Sequence, residues 1–159
     1  MSGIRIVELP KCRMVTSGYS HDENPFIENG TLMRFEKWWS TYDKERTDKW
    51  FARDFMMYDR SKQALVWFYA IPDNVNIDCE FEVIDFEGGI YASAVSIDGN
   101  DEDGERVFKE VKDWIHNSKS FELDERDGHY DLFHVITSQK IQKAMGYSQL
   151  EIYVPIKIK

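Results

Sequence analysis

Leu150-Glu151-Ile152-Tyr153-Val154-Pro155-Ile156-Lys157-Ile158-Lys159 is the stretch whose reading decides the fold. It alternates with period two. Leu150, Ile152, Val154, Ile156 and Ile158 point one way, and Glu151, Tyr153, Pro155 and Lys157 point the other. Five aliphatic side chains on one side make a core face. The other side begins with a carboxylate and a phenol two residues apart, about 6–7 Å along a strand. That side reads either as the polar outer face of an antiparallel strand or as the wall of a concave pocket.

Working back from this strand, periodicity gives the rest of the chain. Residues 4–16 read as a strand interrupted at Pro10-Lys11, and residues 17–30 as a loop rich in Gly, Ser, Asn and Asp, with a solvent-facing His21. Residues 31–46 change to helical spacing. Thr31 is placed to cap them, and Leu32, Phe35, Trp38, Trp39 and Tyr42 form an apolar stripe. Two strands follow, 51–57 and 64–71, joined by the polar turn Asp59-Arg60-Ser61-Lys62. The second ends at Pro72-Asp73-Asn74. On that second strand Leu65, Trp67 and Tyr69 share one face, and Val66 and Phe68 the other.

Residues 79–85 and 89–97 are strand-like and join through Glu87-Gly88-Gly89, which suits a tight turn or bulge. An acidic loop, 98–105, leads to a helix over 105–117 with Val107, Val111, Trp114 and Ile115 on one stripe. Residues 128–137 make a further strand before the closing one. The order strand, helix, strand, strand therefore occurs twice, over about 1–76 and 77–159, with negligible identity between the halves. The expected architecture is α+β, a single domain over 1–159 built from a duplicated strand-helix-strand-strand module, with its two main helices on one face of an antiparallel sheet.

Composition narrows the function. The 159 residues carry 20 basic and 29 acidic side chains, a net charge of −9 with no clustered basic patch, so direct nucleic-acid binding is disfavoured. Neutral or cationic small molecules are the compatible ligands. Five Trp, eight Tyr and ten Phe are what a rich core, or an aromatic-walled pocket, leaves in a sequence. Cys12 and Cys79 are far apart and outside any CxxC, which suits buried, reduced thiols in a cytoplasmic protein. No apolar run approaches the ~20 residues of a membrane span, and residues 1–10 lack the apolar stretch of a signal peptide.

Familiar catalytic and metal-binding patterns do not fit. His129 and His134 are five apart and face opposite sides of a strand, and the acidic loop lacks the ligand spacing of a calcium loop. Gly88-Gly89 lacks the lysine and spacing of a phosphate-binding loop, and no nucleophile motif occurs. No metal or cofactor is expected. Glu151 with Tyr153 remains as the one carboxylate–phenol constellation.

Glu-Ile-Tyr-Val-Pro-Ile over 151–156 resembles the closing strand of GyrI-like small-molecule-binding domains. These are also called AraC-type effector-binding domains, and they form the drug-binding half of multidrug-sensing MerR-type bacterial regulators. Gly88-Gly89-Ile90-Tyr91-Ala92 followed by Gly99 resembles a second motif of that family, with Phe86 near the place of its usual proline. Trp114-Ile115 followed by Ser118 falls at a third. Over 1–75 the likeness is one of element order.

The resemblance implies a stand-alone effector-binding domain with its ligand in a cleft between the two halves and a glutamate facing aromatic walls. The implied ligand-binding residues are Glu151, Tyr153, Tyr91, Trp67, Tyr69 and Trp114. Either Asp131 and Phe133 or Leu132 and His134 join them. The implied function is to bind a lipophilic cationic or neutral aromatic small molecule as a sensor or sequestering agent. No DNA-binding domain is read in the chain, so any part in transcription regulation would run through a partner protein that carries one. Two alternatives stand beside this. One is a hydrolase of reactive small molecules, with Glu151 as general base and Tyr153 as proton donor. The other is a protein-interaction module of the gyrase-inhibitor kind.

Overall fold

A computed structural model describes residues 3–47, 53–72 and 75–159. In chain order the elements are β1 (Arg5–Leu9), β2 (Cys12–Thr16), α1 (Thr31–Glu45), β3 (Asp54–Asp59), β4 (Ala64–Ile71), β5 (Glu82–Phe86), β6 (Gly89–Ile97), α2 (Asp101–Asn117), β7 (Phe121–Leu123), β8 (Leu132–Val135), α3 (Gln139–Met145) and β9 (Gln149–Ile158). The fold is α+β with antiparallel strand pairing, as the periodicities predict. Phe51, at the start of one expected strand, and Asp73-Asn74, at the end of another, lie outside the described residues.

The chain forms two compact units, Cys12–Phe86 and the pair of segments Met1–Lys11 and Glu87–Lys159. In the first unit the strand order is β5-β2-β4-β3. The β3–β4 turn closes where Asp59 Oδ1 accepts from the Ser61 amide at 2.9 Å, so the acid replaces a backbone partner in the turn. α1 covers one face. Leu32 and Phe35 are buried there against Val15, Trp67, Tyr69 and Ile71. Trp38 and Trp39 flank this ridge on either side. Trp38 stacks on Tyr42, and Trp39 stacks on Tyr69 with ring centres 5.8 Å apart.

In the second unit the order is β1-β6-β9-β8, with β7 continuing beside the far end of β9. α2 seals one face. Val107, Val111 and Ile115 pack on Ala92, Ala94, Ile152, Val154 and Ile156. Each buried aliphatic of this kind contributes about 1.5–3 kcal/mol. The aliphatic face read from the closing strand is therefore the core face at its centre. Its last member, Ile158, is 69% exposed because it lies past the end of α2's cover.

The two units repeat one topology. β2-α1-β3-β4 and β6-α2-β8-β9 are each a strand, a helix and two strands, with the last strand central. To each is added a strand from the neighbouring stretch of chain: β5 beside β2, and β1 beside β6. The compact units divide the chain at Lys11/Cys12 and Phe86/Glu87. Pro10, which interrupts the expected strand 4–16, lies between β1 and β2, where the chain passes from one unit to the other.

Several local expectations are corrected. Thr31 is the first helical residue of α1, and its amide is held by Asp22 Oδ2 at 3.2 Å. α2 begins at Asp101, four residues early, because Asn100 accepts from the Asp103 amide at 3.0 Å. The acidic loop is in large part a first helical turn, with Asp101, Glu102 and Asp103 at the positive end of the helix dipole. The strand expected over 128–137 shortens to β8. α3 was invisible because none of its residues is buried, so it writes no apolar stripe. Cys12 and Cys79 are half-buried and not sealed in the core.

Candidate functional site: a buried carboxylate on the β-sheet face opposite α2

Antiparallel register decides which side chains share a face. Ser93 pairs with Tyr153, Val95 with Glu151, and Tyr91 with Pro155. Arg5 pairs with Ser93 from the other side of β6, and β8 sets Leu132 beside Tyr153 and His134 beside Glu151. Since Ile152 and Val154 turn towards α2, the set containing Glu151, Tyr153, Tyr91, Ser93 and Arg5 lies on the opposite face. There the sequence motif Tyr91-Ala92-Ser93 meets the motif Glu151-Ile152-Tyr153.

Glu151 is the hub. It is only 3% exposed. Its Oε1 accepts from the Ser93 hydroxyl and from Arg5 Nη2, and its Oε2 accepts from Tyr153 Oη at 2.8 Å. Burial alone would push this carboxyl up. The hydrogen bonds from Ser93, Tyr153 and Arg5 together outweigh it and hold the group below the usual glutamate value. The Tyr153 phenol is pushed up by burial and then by its bond to the carboxylate. The resulting state at neutral pH is one buried anion, protonated phenols around it, and one guanidinium as counter-charge. Arg5 is the solvent-facing member of this cluster, with its side chain 61% exposed.

Tyr91 stands edge-on to Tyr153, with ring centres 6.3 Å apart and an 84° angle between planes. It is fully buried, and among the described residues its hydroxyl has no hydrogen-bond partner. Burial, then the charges of Asp124 and Asp131, raise its phenol above the ordinary value. Asp124 is held at about 2, chiefly by hydrogen bonds from Arg126, and sits 3.6 Å from His129.

The other sequence-derived candidates separate from this cluster. Trp114 belongs to the opposite face: it lies on α2 among the core residues and stacks on Phe121 at 6.2 Å. It lies at the core edge, since the helical stripe that carries it is the one that covers Ile152 and Val154. Trp67 and Tyr69 lie in the other unit, in the core under α1, where Trp67 Nε1 donates to Asp54 at 3.1 Å and Tyr69 Oη donates to Asp43 at 2.7 Å. Of the two alternating pairs on β8, Leu132 and His134 take the Glu151 face, while Phe133 packs with α2.

Two members of the cluster were missed. Ser93 could have been found by continuing the period-two face of Tyr91 by one step. Arg5 could not, because its place beside Glu151 depends on which strand β1 pairs with.

Surface cavities among the described residues lie elsewhere. One of about 1030 Å³ runs along the outer side of α1, past Phe26, Trp38, Tyr42, Glu36 and Lys37. One of about 450 Å³ lies by α2 and β7, near His116, Phe121 and Lys159. Among the described residues no group of His, Cys, Asp and Glu is placed to hold a metal ion, and no helix is long and apolar enough to cross a membrane.

Comparison with known proteins agrees with this fold. Residues 5–156 match the family model of Cass2, the integron-associated effector binding protein. No curated protein matches the chain. Among solved structures, the chain is similar to EcmrR in a complex with DNA (TM-score 0.68, 12% identity, 97% of this chain and 57% of that one). It therefore spans little more than half the length of EcmrR. It is also similar to SAV2435 bound to tetraphenylphosphonium (TM-score 0.53, 12% identity, 97% and 93%) and to a hydrolase from Listeria innocua (TM-score 0.64, 9% identity, 97% and 91%). At these identities the likeness is one of fold. The family match covers nearly the whole sequence, and the chain belongs to the Cass2 family of effector-binding proteins, with the GyrI-like fold.

Proposed function

We propose that this chain binds lipophilic aromatic small molecules, cations in preference to neutral ones, on the sheet face that carries Glu151, and that it acts as a sensor or sequestering protein. The observation that carries the reading is a carboxylate kept ionised while 3% exposed, beside two buried phenol rings. An ion so placed is costly unless compensated, and an aromatic cation supplies that compensation through charge and through cation–π contact of about 0.5–2 kcal/mol per ring. The orphan Tyr91 hydroxyl offers one further donor to a ligand oxygen or nitrogen. That a structural relative is bound to tetraphenylphosphonium is consistent with this class of ligand.

The hydrolase alternative draws less support. A general base near neutral pH needs a raised pKa, and Glu151 is lowered. A partner protein carrying a DNA-binding domain would give the bound ligand a route to transcription regulation.

The test is a tryptophan-fluorescence titration with tetraphenylphosphonium and with neutral triphenylphosphine oxide. Glu151→Gln is expected to weaken the cation about tenfold or more, the loss of one charge-assisted contact of about 1.5–3 kcal/mol, and to leave the neutral probe nearly unchanged. Equal losses for both probes would show that Glu151 serves the fold and not charge recognition. Mass-spectrometric recovery of intact ligand separates binding from turnover.

A further inference from the structure

We infer that Arg5 is the resident counter-ion of Glu151, and that a cationic ligand binds by exchanging with its guanidinium. The inference rests on the proposed role of Glu151 and adds how that site selects its ligand. Four observations carry it. Arg5 lies on β1, the terminal strand of its sheet, in register with Ser93, so its side chain emerges on the face of Glu151. Its guanidinium donates to the same carboxylate oxygen, Oε1, that the Ser93 hydroxyl occupies. Glu151 is sealed, whereas the Arg5 side chain is 61% exposed. The remaining ligands of the carboxylate, Ser93 and Tyr153, are themselves buried and fixed on the sheet.

These differences assign unequal mobilities. Ser93 and Tyr153 are short or rigid side chains held by packing. Arg5 is long, and much of it is already hydrated. Releasing Arg5 into water costs little for the guanidinium itself, while the carboxylate left behind requires a new positive charge. A lipophilic cation satisfies that requirement and a neutral ligand does not. The exchange keeps the carboxylate paired with one positive charge. Arg5 therefore lowers the affinity for cations by competing for the carboxylate, whereas neutral molecules must either leave the pair intact or strand Glu151.

Tetraphenylphosphonium and triphenylphosphine oxide are titrated at pH 8 into the wild-type chain and into Arg5→Ala, Arg5→Lys, Glu151→Gln and the double variant Arg5→Ala/Glu151→Gln. Arg5→Ala is expected to bind tetraphenylphosphonium about tenfold more tightly, a gain of about 1.4 kcal/mol. Arg5→Lys is expected to stay near the wild type, and the double variant to lose the gain. Arg5→Gln, which keeps a donor and removes the charge, should reproduce the gain and serves if the alanine variant melts early. Unchanged or weaker cation binding in both neutral variants, while Glu151→Gln still weakens it, overturns the exchange and leaves the Glu151 reading standing. Unchanged cation binding in Glu151→Gln overturns both.

Discussion

Glu151 and Tyr91 are both buried polar side chains on one face, but their circumstances differ. The carboxylate accepts from three donors, while the Tyr91 hydroxyl has no partner among the described residues. An unmet buried hydroxyl costs about 1–3 kcal/mol. Tyr91→Phe is therefore expected to stabilise the protein by about 1 kcal/mol in urea unfolding, and to weaken ligands that carry an acceptor. A loss of stability would mean that the hydroxyl is bonded. At this scale the sequence was informative where alternation alone places a residue. Period two put Glu151 with Tyr153, and the Tyr-Ala motif brought in Tyr91. It could not distinguish Trp67 and Tyr69 as pocket walls from core residues, because their strand is apolar on both faces. Nor could it find Arg5, whose role comes from pairing across the sheet and not from its neighbours in sequence.

Elements were legible in proportion to the apolar face they bury. β4 and β6 have the expected bounds, and α1 is one residue shorter than read, because each writes a clear period. α3 and the three-residue β7 do not. Helix starts were misread where the capping group was not the residue adjoining the apolar stripe. Asn100→Ala is expected to cost about 1 kcal/mol through loss of the α2 cap. Thr31→Ala should be nearly neutral, whereas Asp22→Ala, which strips the amide of Thr31 and the hydroxyl of Ser20, should destabilise. Gly88 sits at φ +68°, where an added Cβ would meet Leu9 O at 2.5 Å and the Lys11 amide at 2.6 Å. Gly88→Ala should therefore cost more than about 1 kcal/mol, through both the left-handed backbone and the clash with the β1–β2 crossing. Urea unfolding of the four variants checks this set.

For the molecule as a whole, the duplicated strand-helix-strand-strand order was readable, but the pairing of β1 with β6 and of β5 with β2 was not. Pro10 and Gly88 mark where the chain passes between the units, and local sequence does not say which strand a passage leads to. The charges give the whole chain a predicted pH profile. Asp124 and Glu151 are lower in the folded state than when unfolded, so their contribution is present above about pH 4 and lost as pH falls below it, for Asp124 down to about 2. Tyr69, Tyr91 and Tyr153 are raised, so theirs is present below about pH 10 and lost as pH rises beyond it. Thermal melts from pH 2 to 11 should show a plateau between these limits.

The most direct test of the central claim is a crystal structure of the chain with tetraphenylphosphonium. The phosphonium is expected on the sheet face of Glu151, with the carboxylate as its nearest charge, the rings of Tyr91 and Tyr153 beside it, and the Arg5 guanidinium turned out into solvent. A ligand seated in the groove along α1, with the Arg5–Glu151 pair intact, would contradict the account.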